Sequence, residues 1–184
     1  MHPKIFSGGF TVDYLKQFVI PFSGLSVGNH EYEFDLADEF FESFDYSEIK
    51  EGHVKISCRL ERQERMLIFE FDINGNVMAP CDRCLEEFSL PIEGTQRLIV
   101  KFGESDEEES DEVIMIHENQ NEIDLSQLFY EYVNLMIPLR KVHGVDEHGN
   151  SLCNSQVIEK LNQYIERHPE DPRWEPLRKL KEGH

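Results

Sequence analysis

Long apolar runs are missing from the sequence, and their absence removes one class of protein at the start. The apolar stretches at residues 98–100 and 135–137 are far shorter than the roughly 20 residues of a membrane-spanning helix. The first residues lead into no apolar signal core, so we expect a soluble protein that stays in the cytoplasm. There is no glycine-rich phosphate loop and no Gly-x-Ser-x-Gly motif. We therefore expect a protein that is not an enzyme and that has no small-molecule substrate.

Basic residues are also scarce. The chain has 18 Lys and Arg against 37 Asp and Glu, which gives a net charge of -19. Proteins that bind nucleic acid over a broad surface need clustered Lys and Arg for the phosphates, so any RNA contact must be local. Much of the acidic excess lies in residues 104–112, where the like charges predict a solvated loop. The alternative is that this run attracts a basic partner such as a ribosomal protein.

Cysteine is scarce too, because four cysteines in 184 residues are too few for a disulfide framework and fit a reducing cytoplasm. Two of them, Cys81 and Cys84, are nevertheless spaced to chelate one metal ion or to close a small redox disulfide. In thioredoxin-like enzymes the reactive thiol opens a helix, whereas residues 85–92 return at once to the alternation of a strand. The pattern favours a turn between strands, and a metal site over redox catalysis.

A structural zinc site needs two more ligands, and the loop at residues 138–154 offers them. His143 and Cys153 are the candidates, with His148 as an alternate. Together with Cys81 and Cys84 they predict one zinc ion in a tetrahedral site of three sulfurs and one nitrogen. The spacing of the second pair is looser than in standard zinc fingers, so an inert site in which the thiols only pack is the other interpretation.

Alternation of apolar and polar residues runs through the middle of the chain. It occurs at residues 32–36, 54–60, 67–73, 88–92 and 98–102. A period of two predicts an antiparallel sheet, with the second and third of these segments as a hairpin. Asn74-Gly75-Asn76 has the composition of a turn, which predicts a chain reversal directly after that hairpin.

Two later segments repeat apolar residues at helical spacing. The first begins with a capping-box pattern at Asp124 and is stopped by Pro138. The second is capped by Asn154 or Ser155 and ends before residue 168. We therefore predict an α+β fold in which helices cover an antiparallel, barrel-like sheet, with a C-terminal helical segment.

The carboxyl-terminal part is predicted to differ from the rest of the chain. We expect a main α+β domain at residues 1–153 and a C-terminal helical extension at residues 154–184. The extension ends in a basic and aromatic segment with Arg173, Trp174, Arg178 and Lys179. Either this tail docks onto the domain, or these residues contact RNA or a ribosomal partner.

Several short motifs occur in an order that can be compared with known families. A Cys-x-Arg-Cys-Leu-Glu sequence at residues 81–86 follows a strand, and Ile123-Asp124-Leu125 opens a helix that ends in Ile137-Pro138-Leu139. This order resembles the YceD family, the large ribosomal RNA subunit accumulation proteins. Ser23-Gly24-Leu25 and Asp171-Pro172-Arg173-Trp174 look like the branch found in Bacteroidetes-type bacteria, so the resemblance covers nearly the whole chain.

The resemblance implies a ribosome biogenesis factor that supports the accumulation or maturation of large-subunit (23S) rRNA without catalysis. Its partners would be that RNA or a ribosomal protein. Many relatives carry further cysteines after the proline-containing helix end, where this chain has His143 and Cys153. Arg83, Arg140 and Lys141 would supply the local positive surface that the rest of the chain lacks.

Two other function classes compete with this interpretation. One is a thiol-disulfide oxidoreductase that uses the Cys81 and Cys84 pair, and it requires a thiol with a strongly lowered pKa and disulfide turnover. The other is an acidic adaptor for ribosomal proteins, and the net charge of -19 favours it.

Overall fold

The computed structural model describes residues 14–103 and 113–167, which contain seven strands and three α-helices. In chain order the elements are a 3-10 helix (Lys16–Phe18), β1 (Val19–Pro21), β2 (Gly28–Leu36), α1 (Asp38–Glu42), β3 (Gly52–Arg62), β4 (Met66–Pro80), β5 (Glu87–Phe102), β6 (Val113–Ile116), β7 (Glu122–Asp124), α2 (Ser126–Met136) and α3 (Ser155–Arg167). None of the helices in this part of the chain is long and apolar enough to cross a membrane.

The strands form one five-stranded and one two-stranded sheet. The larger sheet has the order β2-β3-β4-β5-β6, and β1 pairs with β7 in the smaller one. The pairs β2/β3, β3/β4 and β1/β7 are antiparallel, whereas β6 runs parallel to β5. The predicted α+β class with a mainly antiparallel sheet is confirmed. Because β2 and β6 are the edges of the larger sheet, the described residues form no closed barrel, and the barrel-like form is not confirmed.

The predicted hairpin is present, but the predicted turn after it is wrong. Strands β3 and β4 pair without interruption from Gly52 opposite Val77 to Arg62 opposite Leu67. Asn74-Gly75-Asn76 lies inside β4 because the glycine permits close approach of the neighbouring strand. A Cβ atom at Gly75 would overlap the carbonyl oxygen of His53 on β3.

The core of the larger sheet is aromatic. Its largest fully buried side chains are the phenylalanines Phe18, Phe40, Phe41, Phe69, Phe71 and Phe129. Phe129 on α2 packs edge-on against Phe71 of β4, with ring centroids 5.4 Å apart, and lies 5.0 Å from the ring of Phe34 on β2. Helix α2 therefore covers one face of the sheet, as the sequence predicted, and the alternating residues of the strands supply the apolar surface beneath it.

Both predicted helices begin at polar side chains that satisfy free backbone N–H groups. Asp124 Oδ1 accepts a hydrogen bond from the N–H of Ser126 at 2.8 Å at the start of α2. At the start of α3, Asn154 Oδ1 accepts from the N–H groups of Gln156 and Val157 at 3.0 and 3.3 Å. Of the two proposed caps for the second helix, Asn154 is the one that acts.

The described residues divide into two compact units. The first unit comprises residues 14–79, 89–103 and 113–139, and the second comprises residues 80–88 and 140–167. The buried residues of the second unit are three cysteines. Around them pack the partly buried side chains of Phe88, Val142, Val157 and Ile158. The predicted boundary between residues 153 and 154 stays a prediction.

Candidate metal centre

Cys81 and Cys84 lie in a tight turn that joins β4 to β5. The N–H of Cys81 donates to the carbonyl oxygen of Glu86 at 2.9 Å, and the N–H of Leu85 donates to the carbonyl oxygen of Cys81 at 2.8 Å. Leu85 has a φ of 64°, which is the left-handed region that residues with a Cβ atom rarely adopt. This closed turn buries the side chains of both cysteines in the same cluster.

The loop after residue 139 is tied to that turn through Asp82. Its carboxylate Oδ2 accepts from the N–H of Lys141 at 2.6 Å, and its own N–H donates to the carbonyl oxygen of Lys141 at 2.7 Å. Farther along, Val145 and Ser151 form an antiparallel β-bridge. The chain therefore reverses between residues 143 and 153, which brings the two ends of this loop close together.

The turn and the loop bring together the four residues that the sequence singled out. The ligand atoms of Cys81, Cys84, His143 and Cys153 all lie within 4.8 Å of one another. The two sulfurs of Cys81 and Cys153 are 3.8 Å apart, and Cys84 Sγ is 3.4 Å from His143 Nδ1. A tetrahedral zinc site, with Zn–S of about 2.3 Å and Zn–N of about 2.0 Å, has sulfur–sulfur edges of about 3.8 Å and sulfur–nitrogen edges of about 3.5 Å. Both distances fit those edges.

The group is shielded from solvent and contains no disulfide. All three cysteines of the group are buried, none is in a disulfide, and the imidazole of His143 is half-buried. The ring of Phe88 lies 4.6 Å from the ring of His143, so an aromatic side chain covers the histidine. Buried thiols are poor nucleophiles toward external disulfides, because attack requires access to the sulfur.

Backbone N–H groups point at the sulfur atoms. Burial alone would raise the pKa of Cys81, but hydrogen bonds from the backbone of Cys84, Arg83 and His143, and from the His143 side chain, lower it to about 6. For Cys84, burial raises the pKa, and the neighbouring thiols add to this against hydrogen bonds from the backbone. One thiolate therefore forms readily, and a bound cation would favour ionisation of the second.

Three of the residues predicted to contact RNA or a partner lie within the described part of the chain. Arg83 is exposed in the cysteine turn, Arg140 is exposed at the start of the loop, and Lys141 beside it is half-buried. All three belong to the second unit, together with the four clustered residues. The remaining candidates lie outside the described residues: Arg173, Trp174, Arg178 and Lys179.

Some residues of the site differ from the sequence interpretation. His148, the alternate ligand, is exposed and is not part of the group, and its N–H donates to Asp146 Oδ1. The role of Asp82 in fixing the loop was missed, as was a hydrogen bond from Asn154 Nδ2 to Glu86 Oε1 at 2.5 Å. These contacts join segments 59 and 68 residues apart, and only the helix-capping pattern at residue 154 gave any signal.

Comparisons with known proteins give a family match. The family model described as "Large ribosomal RNA subunit accumulation protein YceD" matches residues 69–181, which is more than half of the chain. The chain is also similar to a protein of Bacillus subtilis (strain 168) named "Uncharacterized protein YlbN". The two are 25% identical over 128 residues, which cover 69% of this chain and 73% of the Bacillus protein. No solved structure matches the chain.

Proposed function

Because the chain belongs to the YceD family of large ribosomal RNA subunit accumulation proteins, we propose that it supports the accumulation or maturation of large-subunit rRNA without catalysing a reaction. The family match carries this proposal, because it spans both the cysteine turn and the loop that holds His143 and Cys153. The protein would act in the cytoplasm, where the RNA is made, through contacts with that RNA or with a ribosomal protein.

The site that best fits this role is structural. We propose that Cys81, Cys84, His143 and Cys153 hold one zinc ion. Three sulfurs and one nitrogen within 4.8 Å of one another suit zinc, and four protein ligands leave no open position for a substrate. Such an ion would fix the turn and the loop relative to each other.

The proposed contact surface consists of Arg83, Arg140 and Lys141, together with the basic and aromatic residues of the tail. In a chain with a net charge of -19, an RNA contact requires local Lys or Arg side chains for the phosphates. Asp82 and Lys141 are joined by two hydrogen bonds, so the positive residues of the turn and of the loop are held in one place.

A deletion strain tests the function. Deletion should lower the ratio of large-subunit to small-subunit rRNA, and the full chain supplied from a plasmid should restore it. A variant with Cys81→Ser and Cys84→Ser should restore it poorly, whereas Cys58→Ala, which removes a cysteine outside the site, should restore it fully. An unchanged ratio in the deletion strain would show that the proposed function is wrong.

Elemental analysis of protein purified without a histidine tag tests the metal. About one zinc per chain, with thiols that react only after chelation, is the expected result. Metal-free protein with freely reactive thiols would rule out the zinc site and leave the RNA role to rest on the family match alone.

A redox function is the second candidate, because the lowered pKa of Cys81 is a property of reactive thiols. The burial of all three clustered cysteines opposes it, and disulfide turnover with a model substrate would be needed to support it. The adaptor function would be favoured if the protein captured basic ribosomal proteins but no RNA.

A further inference from the structure

Two arginines beside the β3–β4 turn have no carboxylate partner within the described residues. Arg62 and Arg65 take part in none of the ion pairs there, although carboxylates outnumber basic side chains by 37 to 18 in the whole chain. The Nε of Arg62 is buried and has no acceptor in this part of the chain. Arg59, three residues earlier on β3, shows the usual arrangement, because it pairs with Glu70 at 3.3 Å. A buried guanidinium N–H without an acceptor is costly, so Arg62 is a candidate for binding an external anion, and the exposed Arg65 lies in the turn between β3 and β4.

Two cavities border the same turn. Both are lined by Arg62, Glu64 and Arg65. The first, of about 380 Å³, is also lined by Phe22, Ser23, Phe102, Glu118, Gln120 and Asn121. The second, of about 650 Å³, is also lined by residues 27–29, Glu61, Gln63 and Met66. All of these residues belong to the first unit, whereas the candidate metal centre and its positive residues belong to the second.

We propose that these two cavities form one groove, the hairpin groove, which binds the backbone of single-stranded RNA with phosphates on Arg62 and Arg65. The planar guanidinium matches two phosphate oxygens at once, which makes arginine the common choice for such contacts. Cavities that share both arginines suit an extended chain that crosses the pair better than a single small anion. Ser23, Gln120 and Asn121 add neutral donors and acceptors for sugars or bases.

Three carboxylates limit the affinity of this groove for RNA. Glu61, Glu64 and Glu118 line it beside the two arginines and repel a phosphate, so binding should be weak and strongly dependent on salt. Their presence makes opposite predictions possible at one site: removal of an arginine weakens binding, and removal of a carboxylate strengthens it. The proposal rests on the proposed function, because it identifies an RNA contact for the same protein.

The experiment measures binding of a labelled, unstructured RNA of about 12 nucleotides to the full, metal-loaded chain by fluorescence anisotropy, between roughly 50 and 200 mM KCl. A variant with Arg62→Gln and Arg65→Gln should bind roughly tenfold more weakly. The slope of log K against log salt concentration should also be shallower by about 1.4, the value expected for the loss of two phosphate contacts on a single strand. Glu64→Gln should bind more tightly than the unchanged chain. A variant with Arg59→Gln and Arg97→Gln changes the charge by the same amount outside the groove, and should bind like the unchanged chain.

The following outcomes would contradict the proposal that the hairpin groove binds RNA. If the unchanged chain does not bind this RNA, or if the Arg62 and Arg65 variant binds like the control, the groove is not an RNA site. If that variant loses its fold by circular dichroism, Glu64→Gln decides, and an unaltered affinity refutes the proposal. Displacement of the RNA by inorganic phosphate at similar concentration would identify a general anion site instead. The rRNA ratio in the deletion strain is measured separately, so failure of the groove leaves the proposed function standing.

Discussion

The two units of this protein are built from different kinds of buried side chain. The first buries six phenylalanines completely, and those of α2 and β4 pack ring against ring. The second buries three cysteines, surrounded by four apolar side chains that are only partly covered. A cluster of that size removes too little apolar surface from water to offset the entropy of folding. We therefore expect burial to stabilise the first unit and metal ligation to stabilise the second.

Two buried cysteines, one in each unit, differ in the pKa of their thiols. Cys58 lies on β3 opposite Phe71 and Tyr32, and burial raises the pKa of its thiol to about 12. Cys81 is just as inaccessible, but donors from the surrounding backbone lower the pKa of its thiol to about 6. Burial alone thus does not indicate the role of a cysteine, because the groups around the sulfur decide which form is favoured.

The largest effect should come from removing two ligands. Cys81→Ser and Cys84→Ser remove two ligands of the proposed zinc site, and structural zinc contributes roughly 10 kcal/mol or more of apparent binding free energy. Hydrogen exchange should then lose protection in residues 80–88 and 140–167, while β3 and β4 stay protected as far as residue 79. Cys58→Ala is the matched control, since it keeps all four ligands. Equal protection in the variant and the unchanged chain would mean that the second unit does not depend on the metal.

A substitution in the aromatic core should have the next largest effect. Phe129→Ala removes a ring that contacts residues of β2 and β4, and such truncations cost about 3 to 5 kcal/mol of unfolding free energy. Leu135→Ala on the same helix should change the stability by less than about 0.5 kcal/mol, because that side chain is exposed. Urea unfolding measures both variants. A small loss for Phe129→Ala would show that the aromatic core does not stabilise the first unit as proposed.

The raised pKa of Cys58 predicts a loss of stability in alkali. Below pH 9 its thiol is protonated in both states, but between pH 9 and about 12 only the unfolded thiol ionises. The free energy of unfolding should therefore fall by about 1.4 kcal/mol per pH unit in that range because of this group. Cys58→Ala lacks the group, so its stability should fall less steeply between pH 9 and 10.5 in urea unfolding. Parallel curves for the two proteins would contradict this cause.

The sequence predicted those features of the fold that depend on local sequence pattern. Alternation located the strands, and helical spacing located α2 and α3, because neighbours along the chain determine both. The predicted turn at Gly75 was wrong, because the neighbouring strand, and not the local sequence, determines the need for glycine there. The four candidate ligands could be proposed from residue type and spacing, but their proximity depends on Asp82, which holds a loop 59 residues away. The arginines of the hairpin groove gave no signal, since a missing partner is visible only in three dimensions.

The left-handed residue in the cysteine turn was also invisible in the sequence, and it gives the smallest predicted effect. A residue with a Cβ atom in that region costs roughly 1 to 2 kcal/mol, whereas glycine adopts it freely. Leu85 is 79% exposed, so Leu85→Gly loses little packing. After the entropy of a more flexible unfolded chain is subtracted, the turn should gain up to about 1 kcal/mol, or roughly fivefold in zinc affinity against a competing chelator. Leu152→Gly is the control, because residue 152 has no positive φ and glycine should weaken binding there. If Leu85→Gly weakened zinc binding as well, strain in this turn would not be opposing the metal site.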